Sequence, residues 1–493
     1  MLKTIFSNFL GKTPLWYKYT ILGFLIVNPL ANYFISPFVA GWMVLIEFIF
    51  TLALALQAYP VAAGGLLALQ AAVLGLASTD TIYNEIAANL PTLLLLTFMV
   101  AAIYYVKDVL SLLFTKIFLM FHKKWQVALA YCMVTAFTSS FFDALTVLAV
   151  LIIVCFYFLG IYYRAINADP KDYKTLDSAE VEEFRGYLRN LIMHCAVGTA
   201  MGGTLTLVGE PQNLMIGSKM GWSFAEFFLH CGIIAVPVVI SGFLLCPILE
   251  ITRFPGFGYQ LPDRIRKLIA EDYAEKAKQA SGQSTYKYIL QGIVSVLLVL
   301  ALGFHWAAVG LIGLAIIVVI GAFTGMVEEH EFAEAFNHCM PFVTLITIFF
   351  AILGVVHDQH LVPPAVNWVF SSFEGPMQLL VLYIINGAIS MVSDSVFVAA
   401  VFIAEVENAY KAGAFNLEWY QFLATVVNMG TNIPSLGTPN GTAGFLFLLT
   451  SALSPVIKLS YLRMFLLMLP YFIVLSGVGG IVIYCFMPYY KFF

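Results

Sequence analysis

Charged residues are scarce in this chain of 493 residues, since Asp, Glu, Lys and Arg make up only 11% of it while hydrophobic residues make up 61%. An ordinary soluble domain carries about 25% charged residues, so the composition excludes that class. Apolar runs of roughly 20 residues, the length that crosses a bilayer as a helix, recur along the whole sequence. The chain is therefore predicted to be an all-α polytopic membrane protein that lies in a lipid bilayer.

Several functional signatures are also missing from the sequence. There is no GxxxxGK[ST] motif, which argues against an ATP-driven pump encoded in this chain. No basic cluster indicates nucleic acid as a partner, and no Ser-His-Asp or metalloprotease pattern indicates an enzyme. The seven cysteines lie mostly in apolar segments without metal-ligand spacing, so no cofactor is expected. Any transport must draw its energy from an ion gradient.

Two stretches of the sequence look like copies of one another. They are MGGTLTLVGEPQN at 201–213 and MGTNIPSLGTPNG at 429–441, and their Met, both shared Gly and the Pro coincide when they are superposed. Each interrupts an apolar run with Gly, Pro and hydrogen-bonding side chains. A duplicated Gly/Pro break in two hydrophobic segments points to the binding site of a secondary transporter. The alternative is that each break is a helix kink satisfied by its neighbours.

An aspartate precedes each break inside a long apolar run. Asp143 lies in the run 125–162 and Asp394 in the run 376–411, and both runs have a polar centre. We interpret each run as two half-helices that meet at a tip, which is a re-entrant hairpin. Non-helical backbone at such a depth is tolerated only where protein buries it or water reaches it.

The distribution of basic residues predicts the topology. The loop 252–287 carries seven Lys and Arg residues, so the positive-inside rule places it in the cytoplasm. Counting spans from this loop makes the two halves inverted repeats, with the first hairpin entering from the cytoplasm and the second from outside. The predicted regions are 1–124 (scaffold spans and an interfacial helix), 125–250 (first hairpin and broken helix), 251–286 (cytoplasmic loop), 287–375 (second scaffold spans), 376–456 (second hairpin and broken helix) and 457–493 (C-terminal span).

Asp143 and Asp394 are the main candidates for binding sodium and protons. A carboxylate in the middle of an apolar run costs about 2.5–3.5 kcal/mol on insertion scales and by default marks a function. The alternative for each aspartate is that it caps the half-helix that follows, a role that is compatible with ion binding.

Oxygen-bearing side chains around the tips and breaks complete the predicted site. A proline frees backbone carbonyls, and hard cations prefer carbonyl, hydroxyl and carboxylate oxygens. Glu210 is either a third ionisable site or the water-facing end of a half-helix, and His194 is interpreted as a packed histidine in preference to a proton relay. The further candidate ligands are Thr146, Asn213, Ser393, Thr438 and Asn440, with Glu210, Ser140, Ser395 and Glu47 as accessory candidates.

The chain resembles the bacterial NhaB sodium/proton antiporters of the ion transporter superfamily. The resemblance runs nearly end to end and includes EIAANLPTLLLLTFMVA, SSFFDALTVLAV, GTAMGGTLTLVGEPQNL and GTNIPSLGTPNGTAGFLFLLTSALSP. It implies a multi-pass inner-membrane protein that exchanges cytoplasmic sodium, and also lithium, for external protons, with a role in salt tolerance or pH homeostasis. It also implies an elevator-type scaffold and transport domain in a homodimer. The family's intramembrane aspartate falls on Asp143, and the motif departs from the family only at Phe142, where Leu is common.

Competition between sodium and protons for the same carboxylates would produce exchange. Burial and nearby cations shift the proton affinity of a carboxylate in opposite directions, and two neighbouring acids titrate as a pair. The alternative function is sodium-coupled uptake of a dicarboxylate or another anion, which the same superfamily also contains. Anion sites favour helix N-termini and neutral or basic groups, so aspartates at both tips argue against that alternative.

Overall fold

The computed structural model describes residues 6–55, 57–142, 144–166, 178–279, 282–304, 306–337, 339–361 and 363–490. Within these ranges all regular secondary structure is helical, which confirms the all-α prediction. Among the described residues, five helices are long and apolar enough to cross a membrane: Val147–Ala165, Phe224–Thr252, Thr285–Gly303, Met340–Asp358 and Tyr461–Tyr489. A sixth candidate is the pair Thr79–Ala88 and Leu90–Ala102, which bends by 59°.

The first half begins with helices that precede the first hairpin. They are α1 (Leu15–Phe34), α2 (Pro37–Ala53), α3 (Pro60–Val73), α4 (Thr79–Ala88), α5 (Leu90–Leu94), a π-helical turn (Leu95–Met99), α6 (Val100–Tyr104) and α7 (Lys107–Met120). The hairpin and broken helix follow as α8 (Lys124–Ser139), α9 (Ala144–Ala165), α10 (Ala179–Gly203) and α11 (Pro211–Met220), and α12 (Phe224–Thr252) ends this half.

The second half follows the same order. After α13 (Asp263–Gln279) come α14 (Gly282–Gly303), α15 (Val309–Thr324), α16 (Glu329–Asn337), α17 (Met340–Asp358) and α18 (Pro363–Ser372). The second hairpin and broken helix are α19 (Gly375–Ser390), α20 (Ser395–Lys411), α21 (Leu417–Asn432), a 3₁₀ turn (Pro434–Gly437) and α22 (Ala443–Thr450), and they are followed by α23 (Leu453–Val456) and α24 (Tyr461–Cys485).

The two hairpins pack on the two broken helices in the same way. The first arm of each hairpin, α8 or α19, lies along α10 or α21, and the helix that ends each half, α12 or α24, packs on the same arm. Helices of one half also pack on helices of the other: α9 packs on α22, and α20 packs on α11. The duplicated sequence pattern therefore corresponds to a duplicated packing arrangement.

Small residues at coincident positions of the repeat allow this close packing. A Cβ at Gly202 would lie 2.5 Å from the carbonyl carbon of Ala136 on α8, and a Cβ at Gly430 would lie 2.9 Å from Asn386 Cβ on α19. Real Cβ atoms essentially never approach so closely. Glycine is therefore required at both positions for each broken helix to reach its hairpin.

The segment 252–287, which we predicted as a loop, contains the helix α13. In α13 the apolar residues Ile265 and Ile269 are four apart and both fully buried, the spacing of one helix face. Charge density, on which the loop prediction rested, hides this amphipathic pattern.

Candidate functional site

The predicted interruptions are present in both broken helices. In the first, α10 ends at Gly203 and the helix resumes at Pro211, which occupies the first turn of α11 where a missing N–H costs nothing. In the second, α21 ends at Asn432, the 3₁₀ turn Pro434–Gly437 follows, and α22 begins at Ala443. Backbone carbonyls near each interruption need partners other than the next turn of helix.

Asn213 provides those partners in the first break. Its Nδ2 donates to the carbonyl oxygens of Gly203 and Thr206, both at 2.7 Å. The side chain is fully buried. Asn213 is therefore a support of the broken backbone, in addition to any contact with an ion.

Three amide side chains join the two breaks directly. Asn432, at the end of α21, donates from Nδ2 to Asn213 Oδ1 at 2.9 Å, and its Oδ1 accepts from Gln212 Nε2 at 2.9 Å. All three residues are buried. We call Gln212, Asn213 and Asn432 the amide bridge, because they are the hydrogen-bonded connection between the halves at this point.

Threonines from the breaks bind the hairpin tips in both halves. Ser140 and Met391 are the residues that directly follow the first arms α8 and α19. The hydroxyl of Thr206 donates to the carbonyl oxygen of Ser140, and the hydroxyl of Thr438 donates to that of Met391. The equivalent contacts place each tip against its own break.

Serines at the tips add a second contact to each pair. Ser140 Oγ donates to the carbonyl of Gly202 at 3.0 Å and to that of Ala136 at 2.9 Å. In the second half, Ser395 Oγ donates to the carbonyl of Gly441 at 2.8 Å. Both serines hold tip and break together, although they lie at different positions of the two tips.

Asp394 occupies the N-cap of α20. Its Oδ1 accepts from the backbone N–H groups of Val396 at 2.9 Å and Phe397 at 3.3 Å. The capping alternative therefore describes this residue, and capping through one oxygen is compatible with a ligand role for the carboxylate. Asp143 lies outside the described residues, and α9 begins at the residue that follows it in the sequence.

Asp394 and Glu210 line one small cavity where the breaks meet. Its volume of about 20 Å³ holds about one water-sized sphere. Glu210 stands at the N-cap position of α11 but makes no capping hydrogen bond through its side chain. The described residues around the cavity include no Lys, Arg or His; they are Ala200, Glu210, Pro211, Gln212, Phe342, Asp394, Ser395, Val396, Asn432, Ser435, Thr442 and Ala443.

Several predicted ligands lie elsewhere and donate to backbone carbonyls. Ser393 Oγ donates to Ile389 O at 2.9 Å, and Asn440 Nδ2 donates to Ala53 O of α2 at 2.8 Å. Asn213 and Thr438 have the carbonyl contacts described above and do not line the cavity. Thr146 belongs to α9, but its side chain lies outside the described part of the chain.

Two further acid or base candidates belong to other clusters. Glu47 is buried in α2, where Asn28 Nδ2 donates to its Oε2 at 2.6 Å. His194 lies between Glu250 Oε1 at 2.9 Å and the Tyr471 hydroxyl at 2.7 Å. The interpretation of His194 as a packed histidine agrees with these contacts, because it also stacks on Phe257 with ring centroids 4.4 Å apart.

Of the described residues that line the small cavity, four polar ones were not predicted from the sequence. They are Gln212, Asn432, Ser435 and Thr442. Each lies within or beside a predicted break, so the polar character of the breaks was the available signal. The superposed repeats did not distinguish them, because Asn432 coincides with Thr204 and Ser435 with Leu207.

A larger cavity lies along the same helices. It has a volume of about 270 Å³ and is lined by residues of α11, α17 and α20, the helices that also contribute to the small cavity. Its polar lining includes Glu85, Lys219, His357, Glu405 and Glu407. Lys219 pairs with Glu407 at 3.2 Å and His357 with Glu85 at 3.5 Å.

Comparison with known proteins gives matches across nearly the whole sequence. The family model "Bacterial Na+/H+ antiporter B (NhaB)" matches residues 1–492. A protein of Shewanella denitrificans named "Na(+)/H(+) antiporter NhaB" is 47% identical over 490 residues, covering 97% of this chain and 92% of the relative. A protein of Saccharophagus degradans with the same name is 48% identical over 490 residues, covering 97% of this chain and 98% of the relative.

Proposed function

The chain belongs to the NhaB family of bacterial Na⁺/H⁺ antiporters and exchanges sodium for protons across the bacterial inner membrane, and we propose that sodium binds in the small cavity lined by Asp394 and Glu210. The family membership confirms the resemblance that the sequence motifs carry. The proposal concerns the ion site and the way in which exchange takes place there.

The lining of the small cavity is the observation that supports this site. It brings two carboxylates together with the side chains of Ser395, Ser435 and Thr442, and such oxygens are the ligands of hard cations. No described lining residue supplies a positive charge. A nearby cation favours the ionised form of a carboxylate and burial favours the protonated form, so we propose that sodium and protons compete for these two groups.

Asp143 is the second intramembrane aspartate of the proposed exchange. It precedes α9 in the sequence as Asp394 precedes α20, and it carries the family's aspartate motif. We propose that Asp143 and Asp394 bind sodium or protons at the tips of two re-entrant hairpins. Lithium, which is also a small hard monovalent cation, is expected to replace sodium.

Alternating access is proposed to occur by an elevator movement. Phe342 of α17 lines the cavity together with residues of both breaks. We propose that α17 belongs to the scaffold, so that the site lies between scaffold and transport elements and movement of one against the other changes its access. The larger cavity along α11, α17 and α20 is the proposed route between this site and the outside of the cell.

We also propose that the protein functions as a homodimer.

Sodium-coupled anion uptake is not favoured. An anionic substrate would meet Asp394 and Glu210 without a basic side chain among the described lining residues. Like charges repel each other more strongly in a protein interior than in water. The cavity volume of about 20 Å³ suits one small ion and not a dicarboxylate.

Proton flux in proteoliposomes that contain only this protein tests the proposal. A pH-sensitive dye reports the response to sodium, lithium or potassium chloride with no organic solute present. We expect proton movement with sodium and lithium but not with potassium, and its loss in Asp394→Asn. Sodium uptake that requires a dicarboxylate, or full exchange in Asp394→Asn, would overturn the proposed site.

A further inference from the structure

We infer that Gln212 supplies a cation ligand through its side-chain oxygen and that Asn432 is the positioning residue that turns this oxygen toward the ion. The inference rests on the proposed ion site in the small cavity. It adds a neutral ligand to the two carboxylates and gives the amide bridge a role in binding sodium.

The hydrogen bonds of Asn432 determine which way its amide points. Its Nδ2 donates to Asn213 Oδ1 at 2.9 Å and to the carbonyl of Asn428 at 2.8 Å. An amide nitrogen has two donor hydrogens, so both are used. Asn432 Oδ1 is consequently an acceptor on the opposite side of the amide.

That acceptor in turn orients Gln212. Gln212 Nε2 donates to Asn432 Oδ1 at 2.9 Å. Since a carboxamide carries its nitrogen and its oxygen on opposite sides of one planar carbon, the nitrogen faces Asn432 and Oε1 is directed away from it. If the Gln212 amide were turned over, its Oε1 would face Asn432 Oδ1, and two acceptors would meet without a hydrogen between them. This orientation is excluded as long as both hydrogens of Asn432 Nδ2 are engaged in their own hydrogen bonds.

Gln212 Oε1 has no hydrogen-bond donor in the described part of the chain, while the residue itself is 4% exposed and lines the small cavity. A side-chain carbonyl oxygen that accepts no hydrogen bond has lone pairs available to a ligand in the cavity. A cation in the cavity satisfies this oxygen, because side-chain carbonyls are among the ligands that hard cations take. Asp394, Glu210 and Gln212 then approach the ion from both halves of the chain.

The arrangement makes a ligand in one half depend on a residue in the other. Gln212 belongs to α11, whereas Asn432 ends α21. Asn432 is held by Asn213, which itself binds the carbonyls of Gly203 and Thr206. A change in the second break therefore alters the position of an oxygen that the first break contributes.

A double-mutant cycle tests whether Asn432 acts through Gln212. Sodium-driven proton flux is measured in proteoliposomes for Gln212→Ala, Asn432→Ala and the double variant. We expect each single change to raise the KM for sodium about tenfold while the maximal rate changes less than about twofold, since a contact to a charged group corresponds to about tenfold or more in affinity. The double variant should have the KM of Gln212→Ala alone, because Asn432 no longer has a ligand to orient.

Asn428→Ala is the matched control on the same helix. Asn428 lies one turn before Asn432, and its side-chain amide contacts Cys231 Sγ at 3.6 Å instead of the other break. This variant should leave the KM for sodium unchanged. The lithium-to-sodium KM ratio is a second readout, because loss of an oriented oxygen changes ion preference whereas a general loss of stability does not.

Three outcomes would overturn the inference. A wild-type KM in Gln212→Ala removes Gln212 as a ligand, and a double variant whose KM is the product of the two single effects shows that Asn432 acts independently. An equal effect of Asn428→Ala shows general disturbance of α21.

If Asn432→Ala does not accumulate in the membrane, Gln212→Ala with its lithium-to-sodium KM ratio still decides the ligand role. Asp394→Asn in the same assay separates this inference from the proposed site, since full exchange in that variant would remove the site itself.

Discussion

Asp394 and Glu210 belong to opposite halves of the chain, yet they line the same small cavity. Asp394 comes from the tip of the second hairpin, and Glu210 comes from the break in the first broken helix. A cation placed between such groups is bound by both halves at once. The expected consequences for exchange differ for each residue around the cavity.

Asp394→Asn is expected to abolish sodium-driven proton flux while the protein remains in the membrane. The amide keeps a capping oxygen for the N–H groups of Val396 and Phe397 but cannot bind and release a proton. Proteoliposome flux and the yield of membrane protein are measured together. The control is Asp272→Asn, which changes a half-buried carboxylate of α13 that accepts from the Tyr157 hydroxyl at 2.6 Å and pairs with Arg164 at 3.2 Å; it lies outside the small cavity and should retain exchange. Native sodium-driven proton flux in both Asp394→Asn and Asp272→Asn would contradict the prediction.

Asp143→Asn is also expected to abolish exchange. The reason is the aspartate motif in an apolar run, where a carboxylate is costly unless it has a function. The measurement is the same flux assay at several sodium concentrations, so that a raised KM is distinguished from complete loss. Normal sodium-driven proton flux in this variant would remove Asp143 from the mechanism.

Glu210→Gln is expected to weaken sodium binding and to change its pH dependence. In the native protein protons compete with sodium for the carboxylates, so the KM for sodium should rise as the pH falls and reach its lowest value at alkaline pH. With one carboxylate fewer, the KM should be higher at alkaline pH and depend less steeply on pH. Flux is recorded against sodium concentration across the pH range. An unchanged profile would show that Glu210 is only the water-facing end of α11.

Gly203→Ala is expected to resemble Glu210→Gln in its effect on the KM for sodium. A Cβ at position 203 would lie 2.9 Å from Glu210 Cγ and 3.0 Å from Glu210 Oε1, so the carboxylate must move away. Gly160→Ala is the matched control, because a Cβ there meets no atom within 4 Å. If Gly203→Ala had the native KM, the Glu210 carboxylate would not be needed at its present position.

Thr438→Val is expected to destabilise the second hairpin tip. Valine has a similar shape but no hydroxyl, so the Met391 carbonyl loses its donor; an unsatisfied buried acceptor costs about 1–3 kcal/mol. The thermal midpoint of the purified protein should fall. Thr206→Val should have a similar effect through Ser140, because the two contacts are equivalent. A change in only one variant would show that the halves are not equally stabilised by these threonines.

The class of protein and the positions of the breaks could be predicted because they follow from composition and from Gly and Pro in apolar runs. The sequence did not allow us to predict which individual oxygens line the cavity. Thr438, Ser393 and Asn440 have suitable side chains, but none of them lines the small cavity, and each donates to a backbone carbonyl outside it. A broken helix needs side chains that bind its free backbone carbonyls, and an ion site needs side-chain oxygens that face the ion. Ser, Thr and Asn can do either, so their presence alone does not distinguish the two roles.

Glu210 shows that residues at coincident positions of the repeat do not always make the same contact. Its position in the repeat coincides with Thr438, which binds a hairpin tip, while Glu210 lines the cavity. The residue that repeats the contact of Thr438 in the first half is Thr206. The pattern of the sequence identifies equivalent segments, but equivalent contacts are made from neighbouring positions because the two turns have different backbone paths.

The amide bridge has a consequence for how such a chain can diverge. Because Gln212 and Asn213 contact Asn432 directly, neither half contains a complete set of contacts by itself. A substitution in one half is therefore selected in the context of the other, and the two copies of the pattern cannot drift apart freely at these three positions. The similarity between halves can fade elsewhere in the sequence while the junction between them remains constrained.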